Sequence, residues 1–174
     1  YLQVKKMSIL KKGDTVLDIG ANDGTLLKFF KKNNFITIGC EPAKNLTSIL
    51  KKNCKYTLNN FWNSKDLNKI LIGNKINKPK LITAIGMFYD LDDPSKFISD
   101  AAEVLDDNGV FIAQLMCLDS MLKKKDLGNI CHEHLEFYTY DSLKYLFEKN
   151  GLKIFKIEQN GVNGGSYRIF CKKN

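Results

Sequence analysis

The only two histidines of the chain lie in one short segment, Cys131-His132-Glu133-His134. Imidazole exchanges a proton near neutral pH, and a neighbouring carboxylate such as Glu133 can orient the ring or stabilise its cation. His-x-His could also supply two metal ligands, but no clear third ligand follows, so we expect no metal. Structural hydrogen bonding to loop carbonyls is a further alternative. The position after the fifth predicted strand favours catalysis, with His132, Glu133 and His134 as the candidate residues.

Two carboxylates stand where apolar runs end, and both can bind a ligand. The run that ends at Asp18 breaks into a turn spaced by Gly20 and Gly24, and the next apolar run ends at Glu41. Glycine permits a positive φ and a close approach of backbone N–H groups to a ligand. An acidic residue about 20 residues after such a turn is placed to accept hydrogen bonds from ribose hydroxyls. Asp18 would face a cationic or hydroxyl-bearing group, since a pyrophosphate requires bare N–H donors.

The elements that position these groups can be predicted from hydrophobic periodicity. Short aliphatic runs are typical of strands buried on both faces, and segments with helical spacing lie between them. This alternation predicts a parallel sheet with right-handed crossovers. The last two strands are joined by six residues, too few for a crossover, so they are antiparallel. We predict a doubly wound α/β fold with helices on both faces and strands at 16–19, 35–40, 55–58, 80–85, 110–115, 152–159 and 166–172.

Helices are predicted at 24–32, at 43–52, from Pro94 onward and at 140–150, with a short one within residues 1–12. Residues 116–138 interrupt the alternation. They are long for a connection in a compact α/β domain, and ordered connections of this length commonly serve as lids or binding loops. The two histidines therefore lie in the predicted lid.

Length and composition indicate one domain, residues 1–174, in the cytoplasm. No apolar run is long enough to cross a bilayer, and no signal-peptide pattern is present. The five cysteines are scattered without a Cys-x-x-Cys pair, which favours reduced thiols. The net charge of +8 comes almost wholly from lysine because Arg168 is the only arginine, which makes nucleic acid an unfavoured partner. The positive charge would still attract an anionic small molecule, including a nucleotide-linked one.

The turn from Asp18 to Gly24 resembles the first motif of class I S-adenosylmethionine-dependent methyltransferases, and Glu41-Pro42 resembles the second. In that family the first acidic residue lies near the amino-acid end of the cofactor. The resemblance implies a Rossmann-like fold of seven strands with one antiparallel strand near the C-terminus. Asn60 and Phe61 lie where the family contacts adenine, although an aromatic cap on the core is the alternative. The implied cofactor-binding residues are Asp18, Gly20, Asn22, Gly24, Glu41, Pro42, Asn60 and Phe61.

Segments 87–94, 130–138 and 163–166 are similar to the methyltransferase domain of sugar C-methyltransferases, which act on nucleotide-linked deoxysugars. The similarity covers nearly all of the chain. A Tyr-His-Glu-His run lines the active site in that family, and its last histidine, here His134, is the proposed base. The tyrosine position is Cys131 in this chain. Candidate sugar contacts are Tyr89, Gln114, Cys131 and Tyr138, with core packing as the alternative for both tyrosines.

The departure at Cys131 influences which acceptor atom the sequence favours. Methylation of carbon requires removal of a proton next to a carbonyl and stabilisation of the oxyanion, and Cys131 lacks a phenol for that purpose. Methylation of oxygen requires one aligned base. The sequence therefore favours a hydroxyl of a nucleotide-linked sugar, with C-methylation as the alternative. A methyltransferase for another small molecule or RNA, and a non-catalytic cofactor-binding module, are further alternatives. The oligomeric state is left open, with a homodimer as one option.

Overall fold

The computed structural model describes residues 1–174, which form a single sheet with helices on both faces. The strands are β1 (Thr15–Ile19), β2 (Ile36–Cys40), β3 (Tyr56–Leu58), β4 (Leu81–Ile85), β5 (Val110–Met116), β6 (Leu152–Asn160) and β7 (Ser166–Lys173). The helices are α1 (Leu2–Lys6), α2 (Thr25–Lys32), α3 (Thr47–Asn53), α4 (Ser64–Gly73), α5 (Pro94–Val104), α6 (Leu118–Lys124) and α7 (Tyr140–Lys149). No helix combines the length and apolar character that a membrane span requires.

The sheet has the strand order β3-β2-β1-β4-β5-β7-β6. Strands β1 to β5 pair in parallel, whereas β7 lies antiparallel to both β5 and β6. This confirms the predicted seven strands with one reversed strand near the C-terminus. Strand order reverses between β1 and β4, and ligands of doubly wound sheets bind in the crevice outside the strand ends at such a point. The fold therefore predicts a ligand site at the carboxyl ends of β1, β2 and β4.

Two hydrophobic clusters cover the two faces of the sheet. Helices α1, α2 and α3 cover one face, where Val4, Phe30 and Leu50 are buried. The other face is covered by α4, α5, α6 and α7, with Phe97 and Phe147 among the larger buried side chains. Alternate residues of each central strand therefore enter different clusters, which explains why these strands read as continuous apolar runs.

Two helices were not predicted from the sequence. Helix α4 begins after Asn63, whose side chain accepts a hydrogen bond from the Asp66 backbone N–H at 2.8 Å. This cap signal was present in the sequence. Helix α6 lies within the predicted long connection 116–138 and buries Met121. Its seven residues, with no side-chain cap, give too short a pattern to recognise.

The remainder of the predicted lid is anchored to the turn after β4. The backbone N–H groups of Leu135 and Glu136 donate to the Tyr89 carbonyl at 2.9 and 3.1 Å. At its far end, the Leu118 N–H donates to the Tyr138 carbonyl at 3.0 Å. These contacts hold the histidine segment against the carboxyl edge of the sheet.

Candidate functional site

Two cavities open at the carboxyl ends of β1, β2 and β4, and Gly20 lines both of them. The first, of about 520 Å³, contains Asp18 and Thr83 and lies beside helix α1. The second, of about 500 Å³, contains Glu41 and Phe61. The two predicted carboxylates thus lie in adjoining cavities at one edge of the sheet, where a single elongated ligand could reach both.

Asp18 is buried at the end of β1, and only 5% of its surface is exposed. Its Oδ1 accepts a hydrogen bond from the Thr83 hydroxyl at 2.5 Å, and the register of β1 with β4 places the two residues side by side. Burial raises the pKa of Asp18 to about 7; the Thr83 hydrogen bond lowers it in part, and the Glu41 charge adds to the rise. A buried carboxylate with this pKa is well placed to receive a cationic group.

The raised pKa gives a prediction for stability. The folded state holds the Asp18 proton more tightly than the unfolded chain, in which the pKa of this carboxyl is 3.8. The free energy of unfolding therefore falls as the pH rises from about 4 to about 7. Asp18→Asn removes this loss, and we expect the ligand-free variant to be about 1–3 kcal/mol more stable than the wild type at pH 8. Thermal unfolding at pH 5 and pH 8 measures the difference, with the exposed Asp92→Asn as the control. A constant difference across this range would contradict the assignment.

Glu41 is also buried, and its carboxylate connects two loops. Its Oε2 accepts from the Asn22 N–H and its Oε1 from the Ala43 N–H, both at 2.9 Å. Each carboxylate oxygen has a second lone pair, so both can still accept from ribose hydroxyls. Pro42 follows directly and lines the same cavity. Glu41 therefore holds the turn in place, and the same two oxygens can also accept hydrogen bonds from a ligand.

The two predicted glycines have different roles. Gly20 has a φ of +71°, and a Cβ there would lie 2.8 Å from Met87 Cγ, so a side chain would crowd the passage between the cavities. Its N–H donates to the Cys40 carbonyl rather than pointing at a ligand. Gly24 lies outside both cavities, and a Cβ there would be 2.9 Å from Asn53 Cβ in α3. Gly24 thus allows α2 to pack against α3.

Of the two residues predicted near adenine, Phe61 lines the second cavity and Asn60 does not. Phe61 lines the second cavity with its side chain 77% exposed, free to cover a flat ring. Trp62 also lines it but packs on Phe97 and donates its indole N–H to the Phe97 carbonyl at 3.2 Å. Asn60 lies outside the cavity and donates to Asp66 Oδ2 at 3.1 Å. Asn60 shapes this loop instead of facing the ligand.

His134 lies against the turn that borders the second cavity. Its ring packs on Tyr89 with centroids 4.6 Å apart. Its Nδ1 lies 2.7 Å from the Asn129 carbonyl oxygen, which can only accept, so Nδ1 carries a proton and, in the neutral ring, Nε2 holds the lone pair. The neighbouring Asp90 lines the cavity; burial raises its pKa, and the nearby His134 opposes that rise. His134 thus lies one residue contact away from the second cavity, and its role as the base stays a prediction.

The other residues of the segment face solvent. His132 and Glu133 have side chains 92% and 73% exposed, with His132 Nε2 and Glu133 Oε1 3.9 Å apart. Cys131 is exposed as well. The structure therefore brings only His134 of this group against the protein body, and the roles predicted for all four residues stay predictions.

The remaining predicted sugar contacts are buried to different degrees. Tyr89 is 7% exposed and its hydroxyl donates to the Gly86 carbonyl at 3.0 Å. Tyr138 packs on Phe88, and its buried hydroxyl has no hydrogen-bond partner. Gln114 lines the first cavity, where its side-chain oxygen accepts from Arg168. Tyr89 is thus the tyrosine that lies beside His134.

Three residues at the site were not predicted from the sequence. Thr83 binds Asp18, Asn129 fixes the tautomer of His134, and Arg168 lines the first cavity. Only Arg168 carried a signal, because it is the one arginine among 27 basic residues. Thr83 and Asn129 act through contacts that no local pattern encodes.

The cavities and their polar groups fit S-adenosylmethionine. Asp18 is suited to the amino-acid end, Glu41 to the ribose and Phe61 to the adenine, and Gly20 leaves room for the ligand to pass between. No group of three or more His, Cys, Asp or Glu side chains is arranged to hold a metal ion.

Comparison with known proteins agrees with this fit. Residues 3–157 match a family model described as a methyltransferase domain. A curated relative, the C-methyltransferase NovU of Streptomyces niveus, is 26% identical over 162 residues, which cover 93% of this chain. The chain spans only 38% of the length of that relative.

Solved structures share the fold at low sequence identity. An S-adenosylmethionine-dependent methyltransferase from Clostridium acetobutylicum has a TM-score of 0.74 and 14% identity, covering 99% of this chain and 89% of the other. Magnesium protoporphyrin IX methyltransferase from Synechocystis, with bound S-adenosylhomocysteine, has a TM-score of 0.71 and 13% identity, covering 99% and 79%.

Proposed function

This chain belongs to the family of methyltransferase domains and uses S-adenosylmethionine, and from that premise we propose that it methylates a nucleotide-linked sugar with His134 as the base. The observation that carries the proposal is the bond between His134 Nδ1 and the Asn129 carbonyl. It selects the tautomer of the neutral ring, with the proton on Nδ1 and the lone pair on Nε2. S-adenosylmethionine supplies an electrophilic methyl group on a sulfonium.

A carbon next to a carbonyl is the acceptor that we favour, because the relative NovU is named a C-methyltransferase and matches almost the whole chain. Removal of the proton from that carbon moves negative charge onto the carbonyl oxygen, which then needs a hydrogen-bond donor. Tyr89 packs on His134 and provides a phenol that Cys131 does not. Burial and the Asp90 charge raise the pKa of Tyr89, so its hydroxyl stays protonated. It donates this proton to the Gly86 carbonyl at 3.0 Å, and donation to the oxyanion requires it to leave that carbonyl.

A sugar hydroxyl, the acceptor favoured by the sequence, is the second candidate. It requires only that His134 accept the hydroxyl proton as the oxygen attacks the methyl group. Cys131 supports this alternative, since the residue lies where the similar C-methyltransferases have a tyrosine. Both candidates use the same base and differ in the need for a donor to an oxyanion.

Transfer of a labelled methyl group distinguishes the acceptors. The protein is incubated with S-adenosylmethionine carrying a 13C-methyl group and with nucleotide-linked keto-sugars or hexoses, and NMR locates the label on carbon or oxygen. For a carbon acceptor we also expect solvent deuterium to enter the position next to the carbonyl before any methyl transfer, and this exchange to be lost in His134→Asn. Labelling of other small molecules or RNA with no sugar product would contradict the proposal.

A further inference from the structure

Arg168 lies in the same cavity as Asp18, on the same face of the sheet. Asp18 ends β1, whereas Arg168 is in β7, with β4 and β5 between them. The register places Asp18 level with Phe170, two residues from Arg168, so at about 4.8 Å between neighbouring strands and about 3.4 Å per residue their backbones are about 16 Å apart. Thr83 donates a hydrogen bond to the Asp18 carboxylate, and Gln114 accepts one from the Arg168 guanidinium. All four residues line the one cavity, so opposite charges border it.

The guanidinium of Arg168 is held mainly by neutral groups. Its Nε and Nη2 donate to Gln114 Oε1 at 2.9 and 2.6 Å, and its Nη1 donates to Gln3 Oε1 at 2.6 Å. Amide oxygens orient a guanidinium but leave its charge uncompensated.

One carboxylate approaches Arg168, and it is shared with another cation. Glu158 Oε2 lies 3.6 Å from Arg168 Nη1, whereas Glu158 Oε1 lies 2.7 Å from Lys156 Nζ. Glu158 is thus shared between two cations and lies nearer to Lys156, so it compensates the charge of Arg168 only in part. An anionic ligand group would compensate the rest of this charge.

We propose that Arg168 binds the α-carboxylate of the cofactor's methionine portion while Asp18 faces its α-ammonium group. This inference rests on the cofactor assigned in the proposed function. An amino acid in water is a zwitterion, and a cavity with one carboxylate and one guanidinium complements both of its charges. Guanidinium and carboxylate match in geometry and form strong charge-assisted hydrogen bonds. Gln114 and Gln3 then act as positioning residues that aim Arg168, a role different from the sugar contact predicted for Gln114.

The competing explanation is that Arg168 only ties α1 to β7 through Gln3. Binding of three ligands separates the two explanations: S-adenosylhomocysteine, its analogue without the carboxylate, and 5′-methylthioadenosine, which lacks the whole amino-acid end. Isothermal titration gives Kd for the wild type, Arg168→Gln and Arg168→Lys. The control is Lys172→Gln, which removes an exposed positive charge from the same strand. Thermal unfolding of each variant shows whether it remains folded.

We expect the wild type to bind S-adenosylhomocysteine about 30-fold more tightly than the analogue without the carboxylate. Arg168→Gln should lose most of this preference, Arg168→Lys should keep part of it, and Lys172→Gln should keep all of it. Binding of 5′-methylthioadenosine should change by less than about threefold in every variant, because it has no group for Arg168 to hold. This pattern would support a direct contact with the carboxylate.

Two results would overturn the inference in different ways. If Arg168→Gln weakens all three ligands equally and keeps the wild-type preference, Arg168 has only a structural role. If the wild type binds none of the three ligands, the cofactor assignment fails, and the inference that rests on it fails as well.

Discussion

Replacing His134 by asparagine should lower kcat about 10³-fold while the Kd for S-adenosylmethionine changes by less than about threefold. The Nε2 of His134 is the proposed proton acceptor, and removal of a general base typically costs 10²–10⁴-fold in rate. Asparagine can still donate to the Asn129 carbonyl that holds Nδ1 in the wild type, so the segment should keep its position. Single-turnover methyl transfer under saturating cofactor measures the effect, and isothermal titration measures the affinity.

The matched control is His132→Asn, which removes the other imidazole of the same segment. Because the His132 side chain is 92% exposed, we expect its loss to change kcat by less than about threefold. Equal rates for wild type and His134→Asn, or a larger loss in His132→Asn, would show that the base lies elsewhere.

Glu41→Ala should raise the Kd for S-adenosylhomocysteine about 100-fold. Hydrogen bonds to a charged group contribute about 1.5–3 kcal/mol each, and the variant loses the acceptors proposed for two ribose hydroxyls. It also removes the acceptor of the Asn22 N–H, which loosens the turn that lines the first cavity. Isothermal titration and thermal unfolding together distinguish loss of affinity from loss of folding.

Asp92 provides a control in the same cavity. It lines the second cavity beside Glu41, is exposed and makes no hydrogen bond through its side chain, so Asp92→Ala should leave the Kd within about threefold. Affinity that is equally reduced in Asp92→Ala would mean that the total negative charge of the cavity matters, and that Glu41 does not act as a specific acceptor.

The positions of Asp18 and Glu41 could be predicted because they follow from the fold alone. Both end parallel strands that are neighbours, and the register pairs Asp18 with Gly39, two residues before Glu41. Once hydrophobic runs identify the strands, their carboxyl ends must meet at one edge. The same reasoning predicted the reversed β7, since a short connection permits no crossover.

The contacts that complete the site could not be predicted in this way. Arg168 meets Gln114 because β7 inserts between β5 and β6, and these two residues are 54 positions apart in the chain. His134 contacts the carbonyl of Asn129, five residues earlier, because the segment folds back on itself. The sequence does not show which carbonyl this folding brings to the ring. The sequence predicted a ligand contact for Gly24, but a glycine-spaced turn is consistent with either ligand contact or helix packing. The position of α3, which would meet a side chain at Gly24, distinguishes the two.

The insertion of β7 between β5 and β6 also determines the order in which the protein can be completed during synthesis. When β6 leaves the ribosome it has no strand to pair with, because its only partner is β7. The sheet can close only after Ser166–Lys173 has emerged, and that strand carries Arg168 into the cavity. Asp18 and Glu41 are made early, so both carboxylates of the site leave the ribosome long before Arg168, the cation that lies in the same cavity as Asp18.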